Sequence, residues 1–237
     1  DCEYIFCISE DTKEIITMLF PDLYEKILIF EPSMNRFYSE DLSNLKSKVI
    51  SYMPRKNPLY SKIVINLIKP NLPNEWEIIA IHGQSESKVI NLLKESKIFL
   101  NFAGLEGYGL PPLEAAILGN IVIGNHGNGA KFFWKNPLFI NVSKDDLKLY
   151  AEKTIDLVNK IENARLSTED YESHRLDLIA EIKKREALPT IISKLDLLKN
   201  RVVKNQKNPL VFRLSVIKYF IWRLNIKFSK FKNLKSF

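Results

Sequence analysis

The sequence predicts an α/β fold with a doubly wound, Rossmann-like parallel sheet that is followed by C-terminal helices. Short apolar runs rich in isoleucine recur through the first 145 residues, and helical patterns separate them. The runs are apolar throughout instead of alternating, which is typical of parallel strands that helices cover on both faces. After Lys144 the pattern becomes helical. Together these three observations indicate the fold class.

Each apolar run has the length of one buried strand. The strands are predicted at 4–8, 26–30, 49–53, 77–81, 97–102, 121–123 and 138–142. Helices are predicted between them at 12–19, 60–69, 85–95 and 112–118. Apolar residues at helical spacing then predict closing helices at 145–163, 171–185 and 191–199, with Pro189 dividing the last two.

Three segments differ in composition. Residues 1–45 are interpreted as a junction with the first βαβ elements, and residues 46–200 as the ligand-binding domain with its closing helices. The polar segment 206–209 then interrupts the helical pattern. Residues 201–237 hold ten Lys or Arg side chains and no Asp or Glu, so the net charge of +7 arises in this tail. The chain begins at Asp1 instead of a methionine, which predicts that it is a fragment.

The composition limits the classes of protein. The chain is 46% hydrophobic and 27% charged, as is typical of soluble globular proteins. No apolar run reaches the roughly 18–20 residues of a membrane span. Cys2 and Cys7 are too few for a disulfide framework, and no histidine lies near them in sequence for a structural zinc site. We therefore expect reduced cysteines and a cytoplasmic protein.

The basic tail allows two interpretations. In residues 209–228 apolar and aromatic side chains outnumber basic ones, which recur every four or five residues. This pattern suits an amphipathic helix on an anionic membrane surface, with Tyr219 and Trp222 at the interface. It equally suits a helix that packs on a partner domain. Nucleic-acid binding is not expected, because the rest of the chain is acidic.

All eight glycines lie between Gly83 and Gly129. Glycine is needed where the backbone takes a positive φ or approaches another group closely. The densest part of this window follows the predicted fifth strand and opens the helix at 112–118, where free N–H groups and the helix dipole favour phosphate. The amides expected to face the ligand are those of Gly107, Tyr108, Gly109 and Leu110.

Two glutamates bracket this turn. Glu106 and Glu114 are separated by seven residues. One carboxylate would accept hydroxyl hydrogens from a sugar and the other from a ribose, so that the segment predicts a nucleotide-sugar pocket. The alternative interpretations are that Glu114 is a solvated helix residue and that Tyr108 is a packing aromatic.

The ends of neighbouring strands add further candidates, since ligands bind at the carboxyl edge of an open parallel sheet. Arg55 and Lys56 follow the third strand and suit a diphosphate, although such residues are singly most often surface charges. His82 and Gly83 follow the fourth strand, and Gly127 lies in the glycine-rich loop after the sixth. We expect these loops to converge on one ligand.

The segment from Glu106 to Gly119 resembles the signature of retaining glycosyltransferases of the GT-B fold, a group that includes sucrose synthases, glycogen synthases and bacterial lipopolysaccharide and capsule transferases. Their C-terminal domain carries Glu-Gly-Phe-Gly-Leu-Pro-x-x-Glu-Ala-x-Ala-x-Gly. This chain has Glu-Gly-Tyr-Gly-Leu-Pro-Pro-Leu-Glu-Ala-Ala-Ile-Leu-Gly. The resemblance extends over about residues 1–200 and implies that 46–200 is the domain that binds the nucleotide sugar.

The resemblance implies a role for each candidate. Glu106 would be the catalytic residue, beside the donor sugar hydroxyls near the reacting carbon. Glu114 would bind the nucleotide ribose, and Arg55 and Lys56 would neutralise the leaving diphosphate. Transfer would retain the configuration of the sugar through an oxocarbenium-like transition state. It would need no metal or other cofactor, in agreement with the lack of an Asp-x-Asp motif in the sequence.

Two features depart from the family pattern. Lys131 stands near the point where the family usually has an acidic residue. A complete GT-B enzyme also has two Rossmann-like domains, and the first of them, which carries the acceptor, is missing from this chain. Only the junction in residues 1–45 matches, with Phe-Glu-Pro-Ser-Met-Asn at 30–35 in place of an Asn-Gly strand end.

Two functions are consistent with these features. In the first, the chain is the donor-binding half of a glycosyltransferase that acts on a glycan or lipid-linked acceptor in the synthesis of cell-surface polysaccharides. It would be cytoplasmic and peripheral on the membrane through residues 209–237. In the second, it is a non-catalytic nucleotide-sugar-binding module that regulates or scaffolds a partner. A nucleotide-sugar epimerase shares the fold class but lacks the paired glutamates.

Overall fold

A computed structural model of the chain describes residues 4–40, 42, 46–163 and 168–186. Its first part consists of β1 (Ile5–Cys7), α1 (Glu10–Leu19), β2 (Ile27–Ile29) and α2 (Asn35–Tyr38). The second part begins with β3 (Val49–Tyr52), α3 (Pro58–Ile68), β4 (Glu77–Ala80), α4 (Glu86–Glu95) and β5 (Ile98–Asn101). It continues with α5 (Leu110–Ile117), β6 (Ile121–Gly124), β7 (Phe139–Asn141), α6 (Leu147–Glu162) and α7 (Thr168–Arg185).

The strands form two parallel sheets. The larger has five strands in the order β4-β3-β5-β6-β7, and the smaller pairs β1 with β2. In the larger sheet β3 pairs in parallel with both β4 and β5. The chain therefore runs from β3 to the edge strand β4, crosses back to β5 on the other side of β3, and continues outward through β6 to β7. This is the doubly wound, Rossmann-like arrangement, and the predicted fold class is confirmed.

Helices cover the larger sheet on both faces because side chains along each strand point alternately to opposite sides. On β5, Ile98 and Leu100 pack in the cluster that holds Val64 of α3, on the face shared with α6. Phe99, between them, packs in the cluster that holds Leu113 of α5, on the face shared with α4 and α7. These five side chains are all essentially buried, which explains why the strand is apolar at every one of these positions.

Polar side chains cap several of the helices that follow strands. Ser85 Oγ accepts a hydrogen bond from the N–H of Lys88 at the start of α4, and Asp146 Oδ1 accepts one from Leu149, 2.8 Å away, at the start of α6. Such caps satisfy N–H groups that have no partner within the helix. They place the first turn of each helix beside the loop that precedes it.

The end of α7 is bound to the segment that joins the two sheets. The Arg185 guanidinium donates to the Glu31 carboxylate over 2.8 Å. The Glu186 carboxylate accepts from the Met34 N–H at 2.6 Å and from the Tyr38 hydroxyl at 2.5 Å. These contacts join residues about 150 positions apart in sequence, so α7 fixes the path of the junction.

The predicted strands and helices occur where the sequence indicates. All seven predicted strands are present within a few residues of their expected bounds, as are the predicted helices up to α7. Only the four-residue helix α2 and short 3-10 turns were not anticipated in this part of the chain. The helix predicted at 191–199, Cys2, and the basic tail at 201–237 lie outside the described residues.

Candidate functional site

Four loops lie together at the carboxyl edge of the larger sheet. They follow β3, β4, β5 and β6, which all run in the same direction. The register aligns the strand ends, since Tyr52 pairs with Ala80 and with Leu100, and Asn101 pairs with Gly124. The candidate residues that follow these strands therefore share one edge, as the sequence predicted.

Two of these loops are joined by backbone hydrogen bonds. The Glu106 N–H donates to the Gly127 carbonyl over 2.7 Å, and the Gly129 N–H donates to the Glu106 carbonyl over 3.0 Å. Glu106 and Asn128 thus form an isolated parallel bridge. The loops approach so closely that a Cβ atom at Gly129 would lie 2.3 Å from the Gly107 carbonyl oxygen. Position 129 therefore has no room for a side chain, and glycine is required there.

The loop after β6 is held in a tight turn. Asn128 has a φ of 68°, an uncommon value for a residue other than glycine. Its N–H donates to Nδ1 of His126 over 3.0 Å, and the Gly127 N–H donates to the Asn125 side-chain oxygen over 2.7 Å. The His126 imidazole must be neutral at Nδ1 to accept this bond.

Acidification is expected to destabilise this loop. The pKa of His126 lies below its ordinary value because burial and the Lys131 ammonium disfavour the imidazolium, and Asp11 opposes them only in part. The unfolded chain therefore takes up a proton at this position more readily than the folded chain. Stability is then present above the ordinary histidine pKa of about 6.5 and is lost as the pH falls through the lower folded value.

Chemical denaturation at about pH 7.5 and about pH 5.5 measures this effect. We expect the free energy of unfolding to decline on acidification, and to decline less in a His126→Gln variant. His82→Gln, which changes an exposed imidazole of the neighbouring loop, is the matched control. Equal declines in the wild type and in His126→Gln would contradict the assignment.

Glu106 and Lys56 form an ion pair at the centre of the edge. Lys56 Nζ lies 2.8 Å from Oε1 of Glu106. The Glu106 side chain is almost completely buried, whereas the Lys56 side chain remains 34% exposed. Glu106, predicted to bind the sugar, is therefore in direct contact with Lys56, predicted to bind the diphosphate. The buried Glu106 carboxylate thus has a cation beside it.

Helix α5 begins at this edge in a conformation that glycine allows. Gly109 precedes the helix with a φ of 82°, and a Cβ atom there would lie 2.6 Å from Cβ of Ala130. Pro111 and Pro112 occupy the first turn, where a missing N–H removes no helix bond. Gly107 is exposed before it. The helix thus begins where the sequence predicted, with Leu110 in its first turn, and anion binding at this point stays a prediction.

Tyr108 contributes its side chain to the core instead of the edge. Its ring is 2% exposed and packs at 5.3 Å from the ring centre of Phe132 and at 6.5 Å from that of Phe133. Burial raises the pKa of the Tyr108 phenol well above its ordinary value. The interpretation of Tyr108 as a packing aromatic is therefore right for the side chain, and ligand binding by its amide stays a prediction.

Glu114 lies in α5 and contacts a residue that sequence analysis missed. Arg36 Nη2 lies 3.4 Å from Oε1 of Glu114, and Arg36 Nη1 forms an ion pair with Glu86 at the start of α4. The Glu114 side chain is 13% exposed, so it is not a solvated helix residue. Arg36 is 78 residues from Glu114 in sequence, and no local pattern links them.

The remaining candidates lie at the rim. Arg55, His82 and Gly83 are exposed. Within the part of the chain that the structure describes, Arg55 forms no ion pair, so the predicted basic pair separates into one paired and one unpaired cation. Gly83 has a φ of 65° and open space around it, consistent with a turn. Ligand binding by these three residues stays a prediction.

Metal-binding and membrane-spanning features can be stated for the described residues alone. These residues hold no cluster of three or more His, Cys, Asp or Glu side chains that could bind a metal ion. None of their helices is long and apolar enough to cross a membrane. The expectation of chemistry without a metal stays a prediction.

Comparisons with known proteins were made by sequence and by structure. No protein-family model and no curated protein sequence matches the chain. Among solved structures, TarM has a TM-score of 0.60 at 16% identity, over 81% of this chain and 43% of that chain. The glycosyltransferase WaaG, involved in lipopolysaccharide biosynthesis, has a TM-score of 0.59 at 14% identity, over 80% of this chain and 61% of that chain.

A third structure is a point mutant of TarM from S. aureus in complex with fondaparinux, α-GlcNAc-glycerol and UDP. It has a TM-score of 0.55 at 16% identity, over 74% of this chain and 43% of that chain. This chain thus spans about half the length of the solved chains that it matches. At these identities the likeness concerns the fold, and the described chain has the Rossmann-like fold of a GT-B glycosyltransferase domain.

Proposed function

We propose that this chain is the donor-binding half of a retaining, metal-independent glycosyltransferase that takes its sugar from a nucleotide sugar. The observation that carries the proposal is the arrangement around Glu106. The Glu106 carboxylate is buried where the loops after β5 and β6 meet, and it contacts Lys56. Glu106 also precedes the first residue of α5, Leu110, by four positions. Charged groups held in a fixed position and shielded from water are suited to stabilising charge that develops during a reaction.

Each group at the edge has a part in this proposal. The exposed backbone at Gly107 and the start of α5 would bind phosphate oxygens, since unpaired N–H groups and the helix dipole favour anions there. Lys56 and Arg55 would neutralise the diphosphate as it leaves. Glu114 would accept hydrogen bonds from the ribose, and Glu106 would bind the transferred sugar near its reacting carbon. TarM, crystallised with UDP, supports a nucleotide as the ligand.

The acceptor half is proposed to come from a second Rossmann-like unit. Helix α1 and the turn that follows expose apolar side chains, with Met18 at 82%, Leu19 at 66% and Phe20 at 58%. Among the described residues the neighbouring β1–β2 pair forms a sheet of two strands, and so small a sheet is marginally stable alone. Large apolar side chains exposed close together in sequence, beside so small a sheet, favour an interface that a partner covers. We propose that the second unit covers this surface and binds the glycan or lipid-linked acceptor.

The proposed location is the cytoplasmic face of an anionic membrane. The basic, aromatic sequence of residues 209–228 supports peripheral binding to an anionic membrane from the cytoplasm. These residues lie outside the described part of the chain. Synthesis of cell-surface polysaccharides fits WaaG among the structural neighbours.

Calorimetry with UDP-, GDP- and ADP-sugars tests the proposed donor site. We expect the chain, measured without the proposed second unit, to bind at least one of them weakly and to turn it over slowly. Arg55→Gln should weaken binding of the same compound by about tenfold, the effect of losing one charged hydrogen bond. Lys62→Gln, an exposed cation of α3, is the matched control. A folded chain that binds none of the compounds would overturn the proposal.

A further inference from the structure

Arg36 connects three elements at the edge of the sheet. It lies in α2, on the segment that joins the two sheets, and its guanidinium contacts carboxylates of two different helices. Glu86 is the first residue of α4, which follows β4, and Glu114 lies in α5, which follows β5. The guanidinium also lies 4.6 Å from the ring centre of the buried Phe37. These contacts leave the Arg36 side chain 27% exposed.

The arrangement is suited to orienting Glu114. Arginine presents several N–H donors in a rigid plane, so contacts to Glu86 and Glu114 together fix the rotation of the guanidinium. The Glu114 carboxylate, held at Oε1, is then limited in its own rotation. A carboxylate has about four acceptor positions, so one bound by a guanidinium can still accept hydrogen bonds from a pair of hydroxyls.

We infer that Arg36 is the positioning residue for the ribose of the nucleotide, acting through Glu114, with Glu86 holding its guanidinium in place. This inference rests on the proposed function, because it assigns the ribose to Glu114. Arg36 belongs to the junction between the two sheets, so the junction would take part in selecting the ligand. The ligand that this arrangement favours is a ribonucleotide with both ribose hydroxyls, over the 2′,3′-dideoxy compound.

The ratio of the affinities for these two ligands shows whether Arg36 positions Glu114 or only stabilises the fold. Calorimetry measures the affinity of the full chain for UDP, GDP and ADP and for their 2′,3′-dideoxy counterparts. We expect the wild type to prefer a ribonucleotide by about tenfold or more, the effect of charged hydrogen bonds to the hydroxyls. Arg36→Gln should lower that ratio towards one, mainly by weakening the binding of the ribonucleotide. Arg36→Lys keeps the charge and should recover part of the ratio.

Two further variants keep the test independent of folding. Glu86→Gln changes an exposed residue and should lower the ratio in the same direction as Arg36→Gln. Lys94→Gln breaks the ion pair with Glu40 at the other end of α4 and should leave the ratio at the wild-type value. A wild-type ratio in Arg36→Gln and in Glu86→Gln would overturn the inference while the donor site stands. Failure of the wild type to bind any diphosphate would overturn both.

Discussion

A Gly129→Ala variant is expected to lose about 2–3 kcal/mol of its free energy of unfolding, because the added methyl group overpacks a closed backbone contact. Its Cβ atom would lie 2.3 Å from the Gly107 carbonyl oxygen and 2.4 Å from that of Glu106. Both neighbours are backbone atoms, so no side chain can rotate away. The hydrogen bond from the Gly129 N–H to the Glu106 carbonyl, 3.0 Å in length, would have to break or lengthen.

The same change is expected to remove nucleotide binding. Separating the two loops moves Glu106 and the exposed backbone before α5, which carry the proposed sugar and phosphate contacts. A displacement of about 1 Å in such a site costs on the order of a hundredfold in function. The loss of binding should therefore be seen under conditions in which the variant is still folded, as shown by circular dichroism.

Thermal and urea denaturation measure the loss of stability. For a chain of this size, about 2–3 kcal/mol corresponds to a fall in Tm on the order of 5–10 °C. Gly104→Ala is the matched control, since its added Cβ atom would have no heavy atom within 4 Å. We expect it to retain wild-type stability or to gain up to about 1 kcal/mol, because alanine restricts the unfolded chain. Equal stability of the two variants would refute the close contact at Gly129.

The glycine window shows what a local pattern can predict. Seven of the eight glycines lie at or beyond the carboxyl end of a strand, so grouping them indicated that edge of the sheet, whereas Gly119 follows α5 at the opposite edge. Their roles differ, and sequence does not separate them. Gly129 and Gly124 are required by close backbone contacts, since a Cβ atom at Gly124 would lie 2.1 Å from the Asn101 carbonyl oxygen. Gly119 follows the end of α5 with a φ of 81°, and Gly83 lies in a turn with a φ of 65° and open space around it.

Contacts between distant parts of the chain were less predictable. The sequence placed Lys56 and Glu106 in one site but did not indicate that they touch. It missed Arg36 completely, because the junction reaches the edge of the sheet only when the two sheets are assembled. The same holds for Arg185 and Glu31, whose pairing depends on the path of α7. Strand signals depend on a few consecutive residues, whereas these contacts depend on the topology.

The contact between Lys56 and Glu106 predicts that substituting the two residues changes nucleotide affinity in opposite directions. Without ligand, the Glu106 carboxylate is paired with the Lys56 ammonium group that is proposed to bind the diphosphate. The distance from Lys56 Nζ to Glu106 Oε1 is 2.8 Å. A diphosphate must compete with this carboxylate. Lys56→Met removes the cation, so we expect the affinity for a nucleoside diphosphate to fall by about tenfold or more.

Glu106→Gln has the reverse effect on the same ligand. The neutral amide releases the ammonium group and removes a negative charge next to the phosphates, so the diphosphate should bind more tightly than in the wild type. The nucleotide sugar should lose affinity relative to the diphosphate, because the proposed sugar contact is gone. The two variants together distinguish competition for a cation from general damage, which would weaken every ligand in both.

Calorimetry with the tightest-binding nucleoside diphosphate and its sugar derivative measures both effects. Lys62→Met, an exposed lysine of α3, removes the same charge away from the ion pair and should change neither affinity beyond the weak screened contribution of a distant charge. The salt dependence adds a second readout, since loss of a phosphate contact reduces the number of ions displaced on binding. Weaker diphosphate binding in Glu106→Gln would contradict the competition, because a carboxylate that repels the phosphates cannot improve their binding.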